Sequence, residues 1–284
     1  MTAKPISFSQ TFNDRVATAT SAGDAVYCWG SLPKACVHPL TTPAGHRLTG
    51  FEMSDHMWHR GIWFTIKFVN GTNFWEEQAP FGVQTSVAEP TCEVLDRDRV
   101  RLLHHVQWDS EATGAVIDER RQLTFNAGTI DWSFELRAEK DLTLDRTPYT
   151  TWGGYGGLSY RAARELHDVN FLLPNGDTVA SLAGQSHDWT VMQAAVDGAG
   201  AGQRVSIGMV DHPSNPRSPV PWYNKSGNGF NYMNAAFLFH KQMTIPRGES
   251  LKFNYRILYR DGQWTAGEFK KLANEFRAMK PSVT

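Results

Sequence analysis

Two histidines, a carboxylate and a guanidinium fall within six residues at Asp55-His56-Met57-Trp58-His59-Arg60. Histidine exchanges protons near neutral pH. Arginine grips a carboxylate or a developing oxyanion with two parallel hydrogen bonds. The spacing therefore points to acid–base chemistry, with His56 and His59 as proton carriers and Arg60 holding the charge that develops. Asp55 and Trp58 then become ligand contacts, the indole offering a flat apolar face. On a helical turn the two histidines would reach one divalent metal ion, whereas on an extended strand they would point to opposite sides. The plain alternative is a polar loop whose histidines bond backbone carbonyls.

A second segment has the same character. Val210 to Tyr223 carries Asp211, His212, Asn215 and Arg217 among four prolines, and ends in Trp222-Tyr223. Proline fixes φ and lowers the entropy of a loop, so the segment reads as a stiff pocket wall. His212 is the expected partner acid or base, and Arg217 a second anchor for a carbonyl. Asp211, Asn215 and Trp222 are the expected ligand contacts. A metal-dependent version would use His56 and His59 with His212 or His240. In a third segment, Thr151 to Arg161, glycines would let backbone approach a ligand, and Tyr155 offers a stacking face. No helix follows it, so it is not a dinucleotide fingerprint. In a fourth, Asn70 to Glu77, strand alternation allows only one of Glu76 and Glu77 to face a given side. The bland expectation there is a solvated pair. A GxSxG elbow, a P-loop, an HExxH helix and a CxxC pair are all missing.

These groups need a rigid frame, and the dominant period in the chain is two. In Ile130-Asp131-Trp132-Ser133-Phe134-Glu135-Leu136-Arg137 the apolar residues share one face, the mark of a half-buried antiparallel strand. Leu251 to Ile257 and Val205 to Met209 repeat it, and further strands are expected over 6–12, 14–20, 24–30, 62–69, 99–109, 115–126 and 187–195. One helix is expected, at the C-terminus, where Thr265 and Glu268 have capping-box spacing ahead of Phe269, Leu272, Ala273 and Phe276. βαβ alternation is missing, which argues against a parallel sheet. The expected fold is an all-β, two-sheet antiparallel sandwich with one C-terminal helix, in one domain over 1–284. The formal charge of −1, from 28 basic and 29 acidic residues, argues against a nucleic-acid or anionic-membrane surface. Three cysteines match no zinc pattern and read as free thiols of a reducing compartment. Met1 to Phe8 lacks an apolar leader core, and the location expected is the cytoplasm. A symmetric dimer is the expectation for any oligomer.

Several motifs taken together resemble the PmoA-like family. They are Asp55-His56-x-x-His59-Arg60-Gly61-Ile62-Trp63-Phe64, Val69-Asn70-Gly71-x-x-Phe74-Trp75, Gly157 to Arg161, Asp211 to Arg217 and Tyr255 to Gly262. The family motif has Pro-His where this chain has Met57-Trp58, so a three-histidine site from that motif alone is not expected. The resemblance implies carbohydrate metabolism and a large β-sandwich similar to the aldose-epimerase, galactose-mutarotase-like supersandwich. It implies a sugar or keto-sugar glycoside as the small-molecule partner. The chemistry implied is elimination, hydration, hydrolysis or epimerisation, with no cofactor beyond the divalent ion weighed above.

Overall fold

The computed structural model describes residues 7–11, 15–20, 23–200 and 202–281. Most of the stretch read over Met1 to Phe8 (residues 1–6) and parts of the strands expected over 6–12 and 14–20 (residues 6, 12 and 14) lie outside them. The expected alternation becomes two large sheets whose pairings are all antiparallel. The first runs Ser7–Thr11, Arg15–Thr20, Gly23–Cys28, Cys36–Leu40, Ile62–Thr65, Gly157–Arg161, Tyr232–Ala235, Pro221–Lys225, Ser181–Ser186. The second runs Val83–Ser86, Arg99–Asp109, Ile117–Asn126, Thr129–Ala138, Ser250–Asp261, Arg204–Asp211, Trp189–Val196, Leu166–Leu172, Thr178–Val179, with Thr91–Val94 also paired to Arg99–Asp109. Among the described residues no helix is long and apolar enough to cross a membrane.

The core lies between the sheets. Ile62, Phe64, Leu158, Tyr160, Trp222, Met233 and Ala235 come from the first, and Trp108, Leu123, Phe134, Met209 and Ile257 from the second. Phe64 sits 4.2 Å from Phe134 and 5.5 Å from Phe253, ring centroid to ring centroid, so the two faces interdigitate. Successive side chains on a strand point to opposite faces. The neighbours Trp63, Ser159, Arg161, Tyr223, Lys225, Tyr232 and Asn234 therefore leave the core and point to the outer face of the first sheet.

Both sheets have a covered outer face, but the covers differ. The C-terminal helix Ala266–Arg277 lies on the second sheet, burying Phe269, Ala273 and Phe276 against Trp189, Val191, Val210 and Leu258. Its capping box forms as expected: Thr265 Oγ1 accepts from the Glu268 N–H at 3.3 Å and Glu268 Oε2 accepts from the Thr265 N–H at 2.8 Å. Gly208 makes the docking close, since a Cβ there would lie 2.3 Å from the Phe269 ring.

On the first sheet the cover is a small hairpin, Phe51–Met53 with His56–Arg60. Segment 55–61, expected as a loop before a strand, is thus largely a strand itself. The expected strand 62–69 is also two pieces. Ile62–Thr65 stays in the large sheet, while Phe68–Val69 joins a four-stranded sheet with Thr72–Asn73, Leu142–Asp145 and Met243–Ile245.

Candidate functional site

The hairpin register explains how His56 and His59 come together. Phe51 pairs Arg60 and Met53 pairs His56, so two steps on one strand oppose four on the other, and Glu52 adopts a positive φ of 48°. A bulge of this kind re-aims side chains. The two imidazoles, which a regular strand would point apart, stack with centroids 4.6 Å apart. They open on a cavity of about 760 Å³ on the outer face of the first sheet. His59 lies at its base on Tyr232, with ring centroids 5.3 Å apart. Trp58, Trp75, Phe230, Tyr223, Phe239 and Tyr149 supply aromatic wall.

Asp55 sits beside His56, its Oδ2 3.2 Å from His56 Nδ1. The same Oδ2 accepts from Arg161 at 2.6 Å, and Oδ1 accepts from Arg164 at 3.2 Å. Burial acts to raise the Asp55 carboxyl, but the hydrogen bond and charge of Arg161, with His56, hold it below the usual 3.8. The Arg161 side chain is fully buried, and its guanidinium carbon lies 4.2 Å from the Phe230 ring centroid. Its other terminal nitrogen approaches His59 Nδ1 at 3.4 Å. A guanidinium only donates, so His59 Nδ1 must accept and the ring proton resides on Nε2. Burial, then the charges of His56, Arg161 and Lys34, holds His59 well below the usual 6.5, so the ring is neutral. Neither His56 Nε2 nor His59 Nε2 bonds to a described residue.

Glu76 faces the cavity and Glu77 does not, although both lie past the end of the strand Thr72–Asn73, where alternation does not apply. Glu76 accepts from Tyr155 Oη at 3.0 Å, from Asn73 Nδ2 at 2.8 Å and from Lys67 Nζ. Burial favours its neutral form, yet the Lys67 hydrogen bond and charge keep it ionised, below the usual 4.5. Glu77 turns behind the wall to Lys34 at 2.9 Å and to Arg60. Both carboxylates are thus enclosed and paired, which corrects the expectation of a solvated pair: the aromatic wall around them keeps water off.

Of the residues expected at the site, Asp55, His56, Trp58, His59 and Tyr155 line this cavity. Arg60 does not. It points to the far side of the hairpin, where Glu77 takes two of its nitrogens and Glu52 a third at 2.7 Å. The second segment is split: it continues from Arg204–Asp211 of the other sheet and ends in Pro221–Lys225 of the first, and of its residues Tyr223 lines the cavity. His212 packs on Phe276 of the C-terminal helix and bonds Ser214 Oγ at 2.7 Å and the Met279 carbonyl at 3.1 Å. Asp211 accepts from Asn215 Nδ2 at 2.8 Å and from the Val220 N–H at 3.0 Å. Arg217 donates to the Phe237 carbonyl at 2.9 Å and the Gln242 carbonyl at 2.8 Å. Trp222 faces the core, its indole donating to the His187 carbonyl at 2.8 Å.

The expectation of one pocket shared by His56, His59, His212, Arg217, Asp211, Asn215 and Trp222 is therefore corrected, and so is the placement of Arg60 in it. Asp211, His212, Asn215, Arg217 and Trp222 are all absent from the cavity lining and have their polar atoms bonded elsewhere. The proposed metal set fails for the same reason: His212 is on the other sheet and His240 bonds the Gly184 carbonyl at 3.0 Å. Among the described residues no group of three or more His, Cys, Asp or Glu side chains is placed to hold a metal ion.

Arg161, Arg164, Lys225, Phe230 and Tyr232 were not among the expected site residues, and Tyr223 was noted only beside Trp222. One signal was available for Arg161: in Leu158-Ser159-Tyr160-Arg161 the polar residues alternate with apolar ones, and an arginine on an enclosed strand needs a carboxylate. Tyr223, rather than Trp222, is the cavity aromatic by the same parity. Gly153 makes room there, since a Cβ would lie 2.8 Å from Tyr155 and 3.0 Å from Tyr223.

The chain belongs to a family of unknown function, DUF6807, whose model matches residues 23–274. That match corrects the resemblance drawn from the motifs, because the family is not the PmoA-like one. No curated protein matches the chain by sequence. Among solved structures, the GH36 α-galactosidase AgaB from Geobacillus stearothermophilus is 8% identical with a TM-score of 0.49, over 91% of this chain and 41% of that one. The galactosidase domain of the α-galactosidase-sucrose kinase AgaSK is 8% identical with a TM-score of 0.48, over 90% and 42%. This chain thus spans about two fifths of either. A galactose mutarotase related enzyme from Lactobacillus acidophilus is 7% identical with a TM-score of 0.43, over 90% of this chain and 97% of that one.

Proposed function

We propose that the cavity binds a sugar or keto-sugar glycoside and moves a proton to and from it through His56. The observation that carries this reading is the Asp55–His56 pair, fixed by the buried Arg161, in a cavity walled by aromatic rings. Flat rings suit the apolar C–H faces of a pyranose, and the few polar groups between them set its orientation. Asp55 is ionised and accepts from His56 Nδ1–H, so the opposite nitrogen is the one that meets substrate. As His56 takes a proton, the carboxylate stabilises the imidazolium.

In a keto-sugar the carbonyl acidifies the adjacent C–H, so one base begins the reaction. The neutral His59 carries its proton on Nε2 and is a hydrogen-bond donor suited to the oxygen where charge builds up. Glu76 and Tyr155 offer an acceptor and a hydroxyl to the sugar's hydroxyl groups. Return of the proton to the other face gives epimerisation, whereas loss of the glycosidic oxygen gives elimination.

The test is exchange of the acidic C–H in D₂O over a panel of glycosides and their 3-keto forms, read by mass spectrometry and NMR. Wild-type protein should exchange or convert at least one member, and His56→Ala should lose that activity by about 100-fold or more. Binding without exchange would leave a sugar-binding module. Equal turnover in wild type and His56→Ala would sink the role of His56.

A further inference from the structure

We infer that the cavity selects an acidic sugar, one bearing a single carboxylate, and that Lys225 is the residue that recognises it. This rests on the reading of the cavity as a sugar site. The argument begins with the charges that line it. Asp55 meets Arg161 and Arg164, and Glu76 meets Lys67. The acidic groups are therefore already matched by the protein's own cations. Lys225 is the remaining charge on the lining, and its Nζ has no ion pair and no hydrogen bond to a described residue. The Tyr223 ring centroid lies 5.6 Å from it.

A solvent-facing lysine without a partner would mean nothing, because most lysines are exposed. Lys225 differs in being half-buried and fixed in place. It ends the strand Pro221–Lys225, directly opposite Tyr232 on one neighbour and Ser181 on the other. Parity along that strand puts Trp222 and Asn224 into the core and Tyr223 and Lys225 on the cavity side. Tyr232 also stacks on His59, so the ammonium rises beside the residue on which His59 rests. A cation held over an aromatic wall gains most from an anion that brings its own apolar face, which is what a sugar acid presents. One positive charge matches one carboxylate. A phosphate dianion would call for several donors or a helix N-terminus aimed at it.

The experiment is calorimetric titration of the full chain with D-glucuronate and D-galacturonate, their methyl glycosides, and the neutral hexose counterpart of each. The acidic member of at least one pair should bind ~10- to 100-fold more tightly than its neutral counterpart, as a charge-assisted hydrogen bond supplies. Lys225→Met should bring that ratio to near one. Lys225→Arg should keep it, and raised salt should shrink it. Circular dichroism and thermal melting confirm that each variant is folded. A ratio near one in wild type, or a ratio that survives Lys225→Met, overturns the inference while the sugar site itself stands. Binding of neither neutral nor acidic members overturns both.

Discussion

Two loops of this protein have nearly the same chemistry on paper. Asp55 to Arg60 offers Asp, His, His and Arg beside a tryptophan, and Asp211 to Arg217 offers Asp, His, Asn and Arg ahead of one. The first lies in the hairpin over the first sheet and the second follows the end of Arg204–Asp211 in the other sheet, and their polar atoms meet opposite fates. Around His212 the bonds close internally: both ring nitrogens have partners, both Asp211 oxygens accept, and Arg217 ties down main-chain carbonyls. Around His56 the bonds close on one side only. Asp55 is secured from behind by two arginines, and the outward nitrogens of His56 and His59 face the cavity. A histidine saturated by its own protein is a structural fastener, whereas one held by a single edge remains available to a ligand. Residue type does not distinguish these two, and bond satisfaction does.

The sharpest way to break the comparison is to remove each histidine in turn. His56→Ala should cost about 100-fold or more in turnover with little change in melting temperature. His212→Ala should leave turnover within about two-fold and lower stability by about 1–2 kcal/mol, the worth of its hydrogen bonds. Equal losses of activity would erase the distinction. Arg161→Met comes next. It leaves Asp55 only the exposed Arg164 and His56 and removes the cation over Phe230, and should cost about 2–3 kcal/mol by chemical denaturation together with most of the activity. A fully buried pair would cost more, but Asp55 keeps about a third of its surface in water.

Gly208→Ala probes the other face. Its Cβ would sit 2.3 Å from the Phe269 ring, so the helix must shift, at about 1–3 kcal/mol with turnover unchanged. The smallest effect is in pH dependence, and its sign differs between the faces. His59 is held below its usual 6.5, so the unfolded chain binds the proton more readily and stability falls as pH drops below about 6.5. Burial raises Asp211 from 3.8 to about 6. There the native state binds the proton more readily, so stability falls as pH rises from about 4 to about 6. Unfolding free energies of His59→Asn and Asp211→Asn, each subtracted from wild type, should therefore slope in opposite directions. Parallel slopes would contradict the assigned burial of one of them.

Much of the frame was legible in the sequence because it is local. Alternation over Ile130 to Arg137 is written in adjacent residues, and the capping box of Thr265 and Glu268 spans four positions; both form as read. Asp55 and His56 are also adjacent in sequence, but Asp55 was expected as a ligand contact and not as the partner of His56. What misled was choosing within strands enclosed on both faces. Trp222 and Tyr223 look equally suited to a ligand, and only the position of the second sheet makes one core and the other wall. Arg60 and Arg161 pose the same choice, since each has a carboxylate partner but only Arg161 reaches the cavity histidines.

By itself, then, the sequence determined the antiparallel strands and the capped helix. Each rests on neighbours a few residues apart, where φ/ψ preference and period-two alternation act. The tertiary structure alone decided which outer face received a helix and which was left as a cavity. It alone decided which polar atoms were used up. Arg161 reaches Asp55 across 106 positions and His59 across 102. No local pattern encodes contacts at that separation; they exist because two sheets pack on one core and force alternate side chains outward.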